Sequence, residues 1–111
     1  MEIYYDKAVI QTDEGNITRR MLAHGGTLMI VEVIFKKASQ DPGMHSHTHE
    51  QIAYITKGSF EFILHDGTSC ILKAGDSIYL EPDKEHGAKC LEDGSTLVDV
   101  FTPQRDDFMN Y

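Results

Sequence analysis

The stretch His45-Ser46-His47-Thr48-His49-Glu50-Gln51, answered by a separate His86 downstream, carries the reading of this chain. On a β-strand, side chains two residues apart share a face, so His45 and His47 can converge on one point. Neutral imidazole is the commonest protein metal ligand. A third imidazole from a distant strand, with an amide or carboxylate oxygen, completes an open divalent-metal site. Taken alone, the run also reads as a polar, histidine-rich loop. Its surroundings decide between the two.

Outward from the motif, turn dipeptides such as Gly15-Asn16, Gly25-Gly26, Asp66-Gly67, Gly75-Asp76 and Asp93-Gly94 punctuate short segments rich in β-formers. Leu28 to Phe35 places Met29, Val31, Val33 and Phe35 on one face. Ser59 to His65 alternates Phe60, Phe62 and Leu64 against Glu61, Ile63 and His65. Asp66-Gly67 favours a two-residue hairpin turn, which predicts that Thr68 to Leu72 returns antiparallel. Ser77 to Leu80 and Thr96 to Phe101 read as further strands, and Met1 to Tyr5 as an edge strand. No window keeps a helical apolar stripe, and Gln104 to Tyr111 has room for one turn at most. Regularly spaced short strands predict an all-β antiparallel sandwich or barrel. The expectation is a single domain over 1–111, with the barrel core at about 28–102.

The chain has 111 residues and a formal net charge of −8. A domain of this size buries roughly two-thirds of its unfolded surface, so its core needs neither disulfides nor a structural metal. A bound metal would therefore serve function rather than folding. The negative charge argues against nucleic acid and anionic membranes as partners; Arg19-Arg20 and Lys36-Lys37 are too small to reverse it. No apolar run approaches the roughly 18 residues of a spanning helix. The start, Met1-Glu2-Ile3-Tyr4-Tyr5-Asp6, carries no signal-peptide pattern. Cys70 and Cys90 lack paired spacing and read as free thiols, so a cytoplasmic location is expected. His24 and His65 follow no ligand spacing and read as surface histidines.

Two spacings resemble the motifs of the cupin superfamily, whose fold is a double-stranded β-helix, a jelly-roll barrel. His45-x-His47 is followed by three residues, Gln51, six more residues and Gly58; Gly75 lies eleven positions before His86. The sequence departs from the usual pattern in places. Gln51 stands where most cupins have Glu, Glu81 at the usual Pro with Pro82 one later, Asp83 at the usual Gly, and Cys90 where Asn is common. The resemblance implies a metal held by His45, His47, Gln51 and His86. Strand parity leaves His49 as a rival fourth ligand, and Glu50 as another. A neutral amide leaves a divalent ion its full charge, making it a stronger Lewis acid, and withholds the carboxylate of many iron oxygenases. Zinc, nickel, iron and manganese all suit such a donor set.

Near the C-terminus, alternation puts Leu97, Asp99 and Phe101 on one face. A carboxylate among apolar neighbours is costly unless paired or functional. Facing a barrel interior, Asp99 could act as a general base, with Arg105 folded over the mouth to grip a substrate carboxylate. The plain alternative is a rim hydrogen bond for Asp99 and a surface pair of Arg105 with Asp106 or Asp107. Asp99-Val-Phe101-Thr-Pro-Gln-Arg105-Asp-Asp-Phe108 is similar to the tail of the pectin-degradation cupins. That resemblance implies catalytic or substrate roles for Asp99, Phe101 and Arg105. It also implies opening of 4,5-unsaturated uronate monosaccharides, small anionic sugar acids, to their linear keto forms. An iron or manganese cupin dioxygenase or isomerase, and a non-enzymatic sugar- or metabolite-binding module, are the competing readings. A symmetric homodimer is expected, paired through an edge strand.

Overall fold

The computed structural model describes residues 1–7 and 10–108. Nine strands follow in order: β1 (Ile10–Glu14), β2 (Ile17–Gly25), β3 (Leu28–Phe35), β4 (Glu50–Lys57), β5 (Ser59–Leu64), β6 (Ser69–Lys73), β7 (Ser77–Leu80), β8 (His86–Cys90) and β9 (Thr96–Thr102). Every pairing is antiparallel. One sheet runs β1-β2-β3-β9-β4-β7 and the other β6-β5-β8. The expected all-β jelly roll is the architecture found, with two sheets enclosing an apolar interior.

Period-two alternation decides which side chains enter that interior. Met29, Val31 and Val33 of β3, Ala53 and Ile55 of β4, Phe60 and Phe62 of β5, and Leu97 and Phe101 of β9 are all buried. The rings of Phe35 and Phe60 meet edge-on at 5.0 Å across the sheets. Leu97, Asp99 and Phe101 do share the inner face, since all three are buried while Val98 and Val100 are not.

Turn chemistry matches in kind and differs in detail. Gly15-Asn16 joins β1 to β2 as a two-residue loop, with Glu14 opposite Ile17 and Gly15 at φ 61°. The Asp66-Gly67 hairpin is longer than expected. Leu64 N donates to Thr68 O at 2.9 Å, leaving His65, Asp66 and Gly67 between the paired residues. Asp66 lacks the positive φ that a two-residue type I′ turn requires; only Gly67 is left-handed. Asp66 instead turns its carboxylate onto the N–H and hydroxyl of Thr68.

Met1 to Tyr5 is not a strand. The segment ends in a 3-10 turn at Tyr5–Lys7. The Tyr5 ring lies 4.4 Å from the Arg20 guanidinium, and its hydroxyl donates to Glu32. Those contacts lay the chain over the outer side of β2 and β3, and β1 is the edge of the large sheet. A second 3-10 turn, Asp106–Phe108, is the single turn allowed for the tail; the rest of that call, residues 109–111, lies outside the described residues.

Candidate functional site

His45, His47 and His86 meet at one end of the interior. His86 opens β8, and His45 lies beside it as an isolated bridge, with N–H···O bonds of 3.0 and 2.9 Å in the two directions. His45 and His47 do not belong to a regular strand, contrary to the parity argument; β4 begins only at Glu50, after a bend at Thr48–His49. The Asp83 N–H ties the approach down by donating to His47 O at 2.7 Å. Asp83 itself is left-handed, φ 61°. The turn thus keeps the conformation that glycine would adopt most easily, and Asp is among the residues that tolerate it.

One nitrogen from each of His45, His47 and His86 lies within 4.8 Å of the others. Their protonation follows from their partners. Nδ1 of His45 faces Gly43 O at 2.7 Å, that of His47 faces His49 O at 3.0 Å, and that of His86 faces Lys84 O at 3.2 Å. A carbonyl oxygen only accepts, so each Nδ1 carries a proton, which in a neutral ring leaves the lone pair on Nε2. This is the outer hydrogen bonding that orients metal-bound imidazoles. Burial, followed by the fields of His45 and His47, pushes the His86 pKa down to about 4. Burial also lowers that of His47. Both rings are therefore neutral, and ready to ligate, at pH 7.

Gln51 adds the fourth donor. Its Nε2 donates to Asp99 Oδ1 at 2.6 Å, which turns Oε1 toward His47 Nε2 at 2.9 Å. With the His47 proton on Nδ1, two lone-pair atoms face each other there. Nε2 of His86 is buried with no hydrogen-bond partner. A cation bound among these atoms resolves both conflicts, so the donor set fits a divalent metal. The structure brings His45, His47, Gln51 and His86 together. His49 is not among the clustered nitrogens, although its ring packs 5.5 Å from that of His47 and 6.3 Å from that of Phe101. Exposed Glu50 accepts instead from the Tyr79 hydroxyl, at 2.7 Å.

A cavity of about 400 Å³ opens beside the imidazoles, with Gln51, Asp99, Phe101 and Arg105 in its walls. Burial raises the Asp99 pKa to about 7, against the opposing pull of the Gln51 hydrogen bond and of Arg19 and Arg105. Arg105 stacks 5.2 Å over Phe101. Its guanidinium also grips Asp107 with two hydrogen bonds, Nε to Oδ1 at 3.0 Å and Nη2 to Oδ2 at 2.8 Å. The surface-pair alternative for Arg105 is thus partly realised, although its side chain is only 15% exposed and still lines the cavity. The rim alternative for Asp99 is not: the carboxylate is buried and bonded to Gln51.

Sequence reasoning passed over one wall residue. Arg19 sits on β2 opposite Val33, between Ile17 and Met21 on the inward parity, and lines the same cavity. The alternation of Ile17, Arg19, Met21 and Ala23 was the available signal. It was obscured because Arg19-Arg20 reads first as a surface basic pair. His24 and His65 are exposed, Cys70 and Cys90 are free, and no described helix is long and apolar enough to cross a membrane.

Comparison with known proteins agrees with this fold. The Cupin domain family model matches residues 31–101. The pectin degradation protein KdgF of Dickeya dadantii (strain 3937) is 39% identical over 93 residues, covering 84% of each chain. The structure of KdgF from Halomonas sp. superposes with a TM-score of 0.87 at 34% identity, over 96% of both chains. An RmlC-like cupin from Shewanella frigidimarina NCIMB 400 gives 0.86 at 34% identity, over 96% of this chain and 94% of that one.

Proposed function

The chain belongs to the cupin family, and from that premise we propose that it opens the ring of 4,5-unsaturated uronate monosaccharides to the linear keto acid. The observation that carries the reading is Asp99: a buried carboxylate, its pKa pushed up by burial to about 7, joined through the Gln51 amide to His47, one of three clustered imidazoles. The likeness to two KdgF proteins supports the substrate class.

The substrate is a cyclic enol ether bearing a hemiacetal and a carboxylate. Asp99 takes the hemiacetal hydroxyl proton, C1=O forms, and the bond from C1 to the ring oxygen breaks. That oxygen becomes an enolate oxygen, and a proton delivered to C4 gives the ketone. The reaction is an isomerisation, with no net gain or loss of protons. Asp99 suits the first transfer because its pKa lies near neutrality, where a base is both ionised and strong enough. A divalent cation held by His45, His47, Gln51 and His86 supplies Lewis-acid stabilisation of negative charge on oxygen. Phe101 presents a ring face to the sugar, and Arg105 adds positive charge at the mouth. Arg105 and a bound cation would together draw an anion into an otherwise acidic protein.

The test is to mix metal-loaded protein with the unsaturated uronate and follow loss of its conjugated-alkene absorbance. Acceleration over spontaneous opening is expected, and Asp99→Asn should abolish it while leaving metal content intact. No acceleration would remove this substrate.

A further inference from the structure

Arg105 was the residue expected to hold the substrate carboxylate, yet two of its donors are engaged by Asp107. A second guanidinium borders the same cavity. Arg19 projects from β2, next to Val33 of β3 and on the inward parity shared with Ile17 and Met21. An arginine at an inward position among apolar neighbours needs an anionic or strongly polar partner. Among its partners is Glu14, whose Oε2 accepts from Arg19 Nη1 at 3.1 Å. The Glu14 side chain is 67% exposed, while that of Arg19 is 26% exposed. A pair with one end in water is weak and exchangeable. Through the cavity, the Arg19 charge also reaches Asp99 and favours its ionised form.

We propose that Arg19 is the specificity-determining residue that receives the carboxylate of an anionic ligand in this cavity, exchanging Glu14 for it. The assignment rests on the reading of the cavity as a sugar-acid site. A planar guanidinium matches a carboxylate with two parallel hydrogen bonds, which lysine cannot reproduce. Arg19, His45, His86 and Asp99 all line the one cavity, so a ligand whose carboxylate sits on Arg19 has its ring within that cavity. Arg105 keeps its bond to Asp107 and its place over Phe101 in this arrangement.

The experiment compares two sugars that differ only by a carboxylate at C6, galacturonate and galactose, titrated calorimetrically into metal-loaded protein. Wild type should prefer galacturonate, and Arg19→Gln should weaken it by about 10- to 100-fold without changing galactose affinity or metal content. Arg19→Lys should restore part of the preference, and Glu14→Gln should tighten galacturonate several-fold by removing the competing carboxylate. In turnover of the unsaturated uronate, Arg19→Gln should raise KM far more than it lowers kcat. Arg19→Gln with an unchanged KM and an unchanged galacturonate preference would overturn the assignment while leaving ring opening in place. Loss of the preference in Arg19→Gln, with no turnover by wild type, would sustain Arg19 and remove ring opening. Wild type that does not distinguish the two sugars would overturn the assignment.

Discussion

Gly87→Ala isolates the junction that holds the two imidazole-bearing segments together. A Cβ on Gly87 would lie 2.4 Å from Pro42 O and 2.9 Å from Met44 Sδ, where ordinary contact begins at 3.4 Å. Met44 is exposed and can swing aside. The Pro42 carbonyl cannot move alone, because it accepts the Ala88 N–H at 2.8 Å and continues into the His45–His86 bridge. Relief therefore demands that the Pro42–His45 segment slide by about 1 Å relative to β8. Metal sites tolerate ligand displacements of only about 0.2 Å. The expected result is a metal affinity reduced by about 10- to 100-fold, the range seen when outer supports of metal ligands are lost. Overpacking should also cost the metal-free protein about 1–3 kcal/mol. Competition against a chromophoric chelator measures the first effect, and urea unfolding of the metal-free protein the second. Wild-type metal affinity in Gly87→Ala would refute the claim that this backbone contact sets the imidazole geometry.

Gly58→Ala tests the fold apart from the site. Its Cβ would meet Ser95 Oγ at 2.0 Å at a φ of +74°, so about 2–5 kcal/mol should be lost, measured by urea unfolding, with metal stoichiometry kept in the folded fraction. In the metal-free protein, Asp99 keeps its proton up to about pH 7, whereas the unfolded chain releases it near 3.8. The native state holds the Asp99 proton across that window, so the Asp99 contribution to stability should fall as pH rises through it, by at most about 1.4 kcal/mol per pH unit, opposed by buried His86, which the native state holds unprotonated above about pH 4. Asp99→Asn should remove that fall and leave stability rising with pH between about 4 and 6.5, and equal slopes in urea titrations of the two proteins would contradict the burial assigned to Asp99. In the metal-loaded enzyme, Asp99→Asn should lower turnover by at least about 100-fold with metal content unchanged, checked by the absorbance assay and elemental analysis.

Much of the molecule was legible because period-two alternation and turn residues are local signals. Leu28–Phe35 and Ser77–Leu80 form strands over the expected residues, and the inward triplet Leu97, Asp99 and Phe101 followed from parity alone. Gln51 Oε1 reaches His47 Nε2, and a bend at Thr48–His49 breaks the strand parity that made His49 a rival. What escaped depended on contacts distant in sequence. The lie of Met1–Tyr5 is set by Arg20 and Glu32 on two other strands. The hold of Asp107 on Arg105 was indistinguishable in sequence from a pair with Asp106. Arg19 became a wall residue only once β2 was registered against Val33.

Three imidazoles, each with Nδ1 turned to a backbone carbonyl, would offer Nε2 with the Gln51 oxygen to one divalent ion. Anomalous diffraction from crystals soaked in zinc, nickel, iron or manganese tests this arrangement most directly. A single strong peak bonded to Nε2 of His45, His47 and His86 and to Gln51 Oε1 is expected. A peak bonded through Nδ1, or no peak among these four side chains with any of the metals, would contradict it.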